Sequence, residues 1–295
     1  MSKATQEIKR ITTHQMKAMK GRGEKISMLT AYDYSMARII DSTGIDVILV
    51  GDSASNVMAG HETTLPITLD QMIYHAASVV RAVKRAFVVV DIPFGYYQGN
   101  SSEALRSAIR IMKESGAHAV KMEGGSEIKE SVTRILSAGV PVMGHLGLTP
   151  QSVHAMGGYK VQGKATEAAR DLIRDALALA DAGVFAVVLE GVPTLVAEII
   201  TKEVSVPTIG IGAGPHTDGQ VLVFDDVLGL HDGHLPKFVR QYARLQDAAV
   251  QALSEYFADV EQGSFPSEEE SYDMSEEAAR ALLRDEPRGD PFDAF

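Results

Sequence analysis

The sequence predicts one eight-stranded β/α barrel, and three observations carry that reading. Short apolar runs of strand length recur eight times. Longer segments with apolar residues at three- and four-residue spacing lie between most of them, and several of these stop at a glycine just before the next run. Strands are expected at 26–32, 46–52, 87–92, 119–123, 140–144, 185–190, 208–212 and 221–227, and helices at 69–85, 102–115, 128–138, 166–181 and 195–203. Gly116, Gly139 and Gly183 stand where a left-handed residue closes a helix. Such alternation with short connections implies a parallel sheet covered by helices. An open doubly wound sheet is the competing arrangement, but it would hold its ligand on a phosphate loop. Gly210, Gly212 and Gly214 have G-x-G-x-G spacing with Pro215 following, so they read as a strand end at a close backbone approach, not as a dinucleotide loop. Beyond them, 237–258 keeps a helical period. The expected division is a barrel with its terminal helices over 1–259 and an acidic, flexible tail over 260–295 with a short helix around 275–284.

Charge narrows the function class. The chain of 295 residues carries a formal charge of −11, but residues 260–295 hold eleven acids against three arginines, so the body is nearly neutral. A nucleic-acid surface would need clustered Lys and Arg to neutralise phosphates, and none is apparent. No cysteine occurs, which excludes disulfides, zinc–thiolate sites and thiol nucleophiles. Residues 1–10 lack an apolar core of signal-peptide length and no run reaches the ~18 apolar residues of a membrane span, so the cytoplasm and small-molecule chemistry are expected.

The chemistry gathers at strand ends. In a β/α barrel the loops after the strands build the active site, and here four apolar strands each run into acid: Val50-Gly51 into Asp52 and Ser53, Val90 into Asp91, Val120 into Lys121 and Glu123, Leu189 into Glu190. Lys121 and Glu123, two residues apart on a strand, point to one face. Carboxylates crowded at one barrel mouth repel unless a hard cation with oxygen ligands neutralises them, and Mg²⁺ on Asp52, Asp91 and Glu123 is the simplest such arrangement. For each acid alone, an N-cap or a surface carboxylate is the competing account; for Ser53 alone it is a cap or turn residue. His145 ends a run in an equivalent position, where it can donate to a substrate oxygen or serve structure alone. His231 and His234, with Gly233 between them and Pro236 after them, read as solvated loop residues, and Tyr96 and Tyr97 as pocket-lining or packing aromatics.

These residues resemble the ketopantoate hydroxymethyltransferase family. The motifs around Asp33, Val50-Gly51-Asp52-Ser53, Thr64 to Thr68, Asp91 to Gly95, Val120 to Gly125, Gly144 to Gln151, Leu189-Glu190 and Ile209 to Gly214 are similar to that family's, in its order, over roughly residues 5–258. The resemblance implies one Mg²⁺ per subunit at Asp52, Asp91 and Glu123, and 2-oxo-acid contacts from Asp52, Ser53, Asp91 and Lys121. Glu190 matches the acid–base residue. It also implies 5,10-methylenetetrahydrofolate as co-substrate, a metal-stabilised enolate, a role in making pantothenate and coenzyme A, a homodecamer, and the barrel type of phosphoenolpyruvate mutase and isocitrate lyase. The alternative is a C–C lyase or phosphoenolpyruvate mutase of that barrel type, although such lyases typically use a cysteine acid that this chain lacks.

Overall fold

The computed structural model describes residues 9–230, 233 and 235–284, so His231, His234 and the end of the acidic tail lie outside the described residues. The chain divides into two compact units, Met1–Ala243 and Arg244–Phe295. The first contains, in order, α1 (Thr13–Arg22), β1 (Ile26–Thr30), α2 (Tyr34–Ser42), β2 (Val47–Val50), α3 (Ala54–Val57), α4 (Leu69–Ala82), β3 (Phe87–Asp91), α5 (Ser101–Ser115), β4 (Ala119–Glu123), α6 (Lys129–Ser137), β5 (Val142–Gly147), α7 (Val153–Met156), α8 (Thr166–Ala182), β6 (Ala186–Glu190), α9 (Thr194–Glu203), β7 (Thr208–Ile211), β8 (Gly219–Leu222) and α10 (Phe224–Leu228). The eight strands are all parallel and close on themselves, β8 pairing back to β1. This is the barrel that the strand count predicts.

Strand alternation sorts the core into two layers. Ile26, Met28, Val47, Leu49, Phe87, Val89, Ala119, Met143, Ala186, Val188, Ile209 and Val221 fill the barrel interior. Their neighbours, among them Ile48, Val50, Val88, Val90, Val120, Met122, Val187 and Leu189, pack outward against the helices. The helices start and stop on local chemistry. Thr68 and Gln71 form a capping box at the start of α4, Asn100 caps α5 by accepting from Glu103 N–H, and Gly116 and Gly183 close α5 and α8 in the left-handed region.

The largest differences from the sequence reading are these. The last strand is Gly219–Leu222, and the apolar run continues as the short helix α10, because Phe224 is buried from a helical backbone. Strand β5 begins at Val142, since Pro141 has no N–H for the ladder, and it reaches Gly147, which puts His145 inside the strand and not at its tip. The helical period over 237–258 becomes a helix only from Leu245. Helices α1, α2, α3 and α7 lie outside the expected helical segments. In the second unit, α11 (Leu245–Gln262) and α12 (Glu276–Arg284) are helical, the latter where a short tail helix is expected. Among the described residues no helix is long and apolar enough to cross a membrane.

One half-buried histidine makes barrel stability depend on pH. His118, just before β4, accepts the Val88 N–H on Nδ1 at 2.9 Å, and its Nε2 lies 2.9 Å from Arg10 Nη1. Burial, then the Arg10 charge, push its pKa down to about 4 from 6.5. The unfolded chain therefore takes up a proton near the ordinary value while the folded chain refuses it. Stability from this residue is present above pH ~6.5 and declines as pH falls toward ~4. Allowing for its partial exposure, the effect is about 1–2 kcal/mol over the window. Urea denaturation of His118→Asn should lose about 1 kcal/mol less stability between pH 7 and pH 5 than the parent. Equal losses in the two proteins would refute the assignment.

Candidate active site

On four consecutive strands the inward positions change from apolar to charged toward the C-terminal end. Along β3 the sequence runs Phe87, Val89, Asp91; along β4, Ala119, Lys121, Glu123; along β5, Met143, His145; along β6, Ala186, Val188, Glu190. The register sets Asp91 beside Lys121, Glu123 beside His145 and Gly147 beside Glu190. Opposite charges are thus cross-strand neighbours, the arrangement that favours pairing over repulsion.

The predicted residues meet in one cavity of about 110 Å³, lined by Asp52, Ser53, Asp91, Lys121, Glu123, His145 and Glu190 together with the apolar Leu49, Val188, Ile211 and Val221. A larger cavity of about 810 Å³, lined by Lys25, Gly212, Pro215, Gln220, Phe238 and Arg240 among others, contains none of these groups. Lys121 Nζ lies 2.9 Å from Asp91 Oδ1, with both side chains only 4% exposed, as an ion pair whose approach is off the hydrogen-bond axis. Asp91 Oδ2 accepts the Asp52 N–H at 3.0 Å. Gly51 permits this approach, because a Cβ there would lie 2.8 Å from Ser53 Oγ and 3.6 Å from Asp91 Oδ2. Ser53 precedes α3 but makes no capping bond; its Oγ is 2.8 Å from the buried Tyr32 hydroxyl. His145 bridges two acids, with Nδ1 3.3 Å from Glu123 Oε1 and Nε2 3.3 Å from Glu190 Oε2.

Burial and charge set the protonation states. Burial, then Asp91 and Glu123, push the Asp52 carboxyl well above the usual carboxylate range. Burial also raises Asp91, against the pull of Lys121, while Glu123 is held low in spite of burial by His145 and Lys121. Burial lowers the Lys121 ammonium, yet the surrounding Asp91, Glu123 and Asp52 raise it more. Burial and Lys121 oppose charge on His145, but Glu123 and Glu190 outweigh them and raise it to about 9, so the ring is an imidazolium at neutral pH. The Lys121 Nζ contact to Nδ1, at 3.2 Å, is then an approach of like charges tolerated between carboxylates, not a hydrogen bond.

In formal charge, four carboxylates face two cations, an excess of two negative charges among mostly buried side chains. That excess and the all-oxygen donor set fit a divalent hard cation such as Mg²⁺. Among the described residues no three Asp, Glu or His side chains converge closely enough to hold one ion directly. The carboxylates therefore fit an ion that keeps some water ligands, as Mg²⁺ commonly does.

A bracing residue joins the acids that sequence reading left unlinked. Gln151, 6% exposed, donates its backbone N–H to Glu123 Oε2 at 2.9 Å and its Nε2 to Asp52 Oδ2 at 2.8 Å and Ile92 O at 3.1 Å. Its Oε1 faces Tyr97 Oη at 2.7 Å, and Tyr97 Oη also accepts the Glu123 N–H at 3.1 Å. Neither Tyr96 nor Tyr97 lines the cavity: Tyr97 is buried behind it, where its hydroxyl braces Gln151 and Glu123, and Tyr96 is only partly buried. The Gly144 to Gln151 motif holds Gln151, but its contact to Asp52 spans 99 residues and no local pattern announces it.

The chain is similar to known proteins over most of its length. A family model described as ketopantoate hydroxymethyltransferase matches residues 10–268. A Cytophaga hutchinsonii protein named 3-methyl-2-oxobutanoate hydroxymethyltransferase is 64% identical over 272 residues, covering 92% of this chain and all of the relative. A Bacteroides thetaiotaomicron protein of the same name is 60% identical, covering 90% of this chain and 97% of its own. Among solved structures, phosphonopyruvate hydrolase in complex with oxalate and Mg²⁺ superposes with a TM-score of 0.57 at 15% identity, over 94% of this chain and 96% of that one. The lyase acting on 2,3-dimethylmalate, a member of the phosphoenolpyruvate mutase/isocitrate lyase superfamily, gives 0.56 at 15% identity, over 92% and 94%. At that identity the structural likeness establishes the barrel alone.

Proposed function

The chain belongs to the ketopantoate hydroxymethyltransferase family, and from that premise we propose that it transfers a hydroxymethyl group from 5,10-methylenetetrahydrofolate to C3 of 3-methyl-2-oxobutanoate. The product is 2-dehydropantoate, on the route to pantothenate and coenzyme A. The carrying observation is the small cavity in which paired Asp91–Lys121 and Glu123–His145 stand beside Asp52 and Glu190.

Asp52, Asp91 and Glu123 would hold the cation, in part through water ligands. When bound, Mg²⁺ supplies Lewis-acid polarisation of the oxo acid's oxygens. Lys121 and Ser53 bind the 2-oxo-acid group, the ammonium adding positive charge where negative charge develops. The apolar wall of Leu49, Val188, Ile211 and Val221 receives the branched alkyl end. Glu190 takes the proton from C3, and the charged His145 beside it fixes one carboxylate oxygen. Water cleaves the two C–N bonds that hold the one-carbon unit, releasing it at the formaldehyde level and leaving tetrahydrofolate. The carbon nucleophile attacks that carbonyl carbon, and the new alkoxide takes up a proton to complete the hydroxymethyl group. The family resemblance further supports a cytoplasmic homodecamer.

The test is direct. Purified protein with Mg²⁺, 3-methyl-2-oxobutanoate and 5,10-methylenetetrahydrofolate should form 2-dehydropantoate; absence of product from folded, metal-loaded protein would overturn the proposal. Glu123→Ala should weaken Mg²⁺ binding by about tenfold or more, read by calorimetry, together with loss of turnover. Unchanged metal affinity would remove Glu123 from the metal site.

A further inference from the structure

The cavity holds a buried hydroxyl to which the mechanism above gives no role, although it opens the Thr64 to Thr68 motif. Thr64, in the segment between α3 and α4, is 3% exposed and lines the cavity with Asp52, Ser53, Lys121 and Glu190. Its Oγ1 has no hydrogen-bond partner in the protein. A hydroxyl taken out of water and left unpaired is destabilising, so such groups are rare unless a ligand or water completes them.

The segment is also anchored so that Thr64 stays where it is. Ser55 Oγ donates to the Thr63 carbonyl at 2.8 Å, Asn56 Nδ2 donates to the His61 carbonyl at 2.8 Å, and the Thr68–Gln71 capping box fixes the other end. The ties on both sides hold the side chain in the cavity wall, leaving it little freedom to turn toward another partner.

The donor inventory of the cavity gives Thr64 its role. A 2-oxo acid brings acceptor oxygens only, and the cavity is dominated by acceptors of its own. Lys121 and His145 stand as cations against carboxylates, Lys121 beside Asp91 and His145 beside Glu123 and Glu190, while the Ser53 hydroxyl is paired with Tyr32 and Thr30 Oγ1 accepts the Phe224 N–H. Thr64 adds a neutral, unpaired hydroxyl donor to what Lys121 and Ser53 offer the substrate. We propose that Thr64 is a substrate-binding residue whose hydroxyl donates to an oxygen of the 2-oxo-acid group, which makes it part of the recognition of 2-oxo acids over compounds lacking that acceptor. This rests on the reading of the cavity as a 2-oxo-acid site.

The experiment compares the parent, Thr64→Val and Thr64→Ser, all loaded with Mg²⁺, by titration calorimetry with 3-methyl-2-oxobutanoate and by thermal melting without it. Valine keeps the shape and removes the hydroxyl, and should weaken binding by about tenfold to a hundredfold, with KM rising in parallel and kcat much less affected. Serine should stay within about threefold of the parent. Ligand-free Thr64→Val should melt at or above the parent temperature, because no bond within the protein is lost. Parental affinity in the valine variant overturns the proposal, as does a ligand-free melting point several degrees below the parent, which would reveal an internal partner. If the parent itself binds Mg²⁺ but not the oxo acid, the functional reading fails first and takes this inference with it.

Discussion

Glu190→Gln is expected to lower hydroxymethyl transfer by about 10²–10⁴-fold while leaving the oxo acid and Mg²⁺ bound. Glutamine keeps the size of the side chain and a carbonyl to face His145 Nε2, but it cannot take a proton from carbon. The loss should appear in kcat and in the step before the folate is needed. With Mg²⁺ and 3-methyl-2-oxobutanoate in D₂O, the parent should exchange the C3 hydrogen and the variant should not, as NMR would show. Persistent exchange in Glu190→Gln would assign the base elsewhere. Melting temperature should change little, because Glu190 sits at the cavity rim with its side chain 17% exposed.

The second large effect is on stability. Lys121→Met removes the cation that stands 2.9 Å from Asp91 and near Asp52 and Glu123, all of them buried. Removing one member of a buried pair typically costs about 3–5 kcal/mol. Here the low end applies, about 3 kcal/mol, because Asp52 and Asp91 already have raised pKa values and can take up protons in place of the lost charge. In a chain of this size that lowers the melting temperature by roughly 6–12 °C. Added Mg²⁺ should restore more of the loss than it adds to the parent, since the variant has one more uncompensated negative charge. A variant as stable as its parent without Mg²⁺ would mean that the pair contributes no net stability.

Much of the site was legible because function here sits on strand periodicity. Asp91, Lys121, Glu123 and Glu190 each terminate an apolar run, and a period of two already places Lys121 and Glu123 on one face. The barrel followed from the same runs. Elements without a contrasting pattern were not legible: α1 buries only Met16 among polar residues, and α3 is four residues long. The run at 221–227 looked like one strand because Val221 and Phe224 are both buried, yet one belongs to β8 and the other to α10. Gln151 and Thr64 escaped for a different reason. Both lie in motifs that carry the family resemblance, but Gln151's contacts and Thr64's place in the cavity wall arise only when distant segments close around the cavity, and no local pattern marks either side chain.

The neighbour relation of Asp91 with Lys121 and of Glu123 with His145 bears on how the barrel assembles. Were β4 to slip by one residue against its neighbours, Lys121 and Glu123 would be driven into the oily layer under the helices and Met122 into the charged mouth. Two ions stranded in that layer would cost several kcal/mol, comparable with the whole stability of a domain. The charges that serve chemistry thus also act as alignment marks during folding, and substitutions that neutralise both Lys121 and Glu123 should admit misaligned, aggregation-prone chains that the parent sequence excludes.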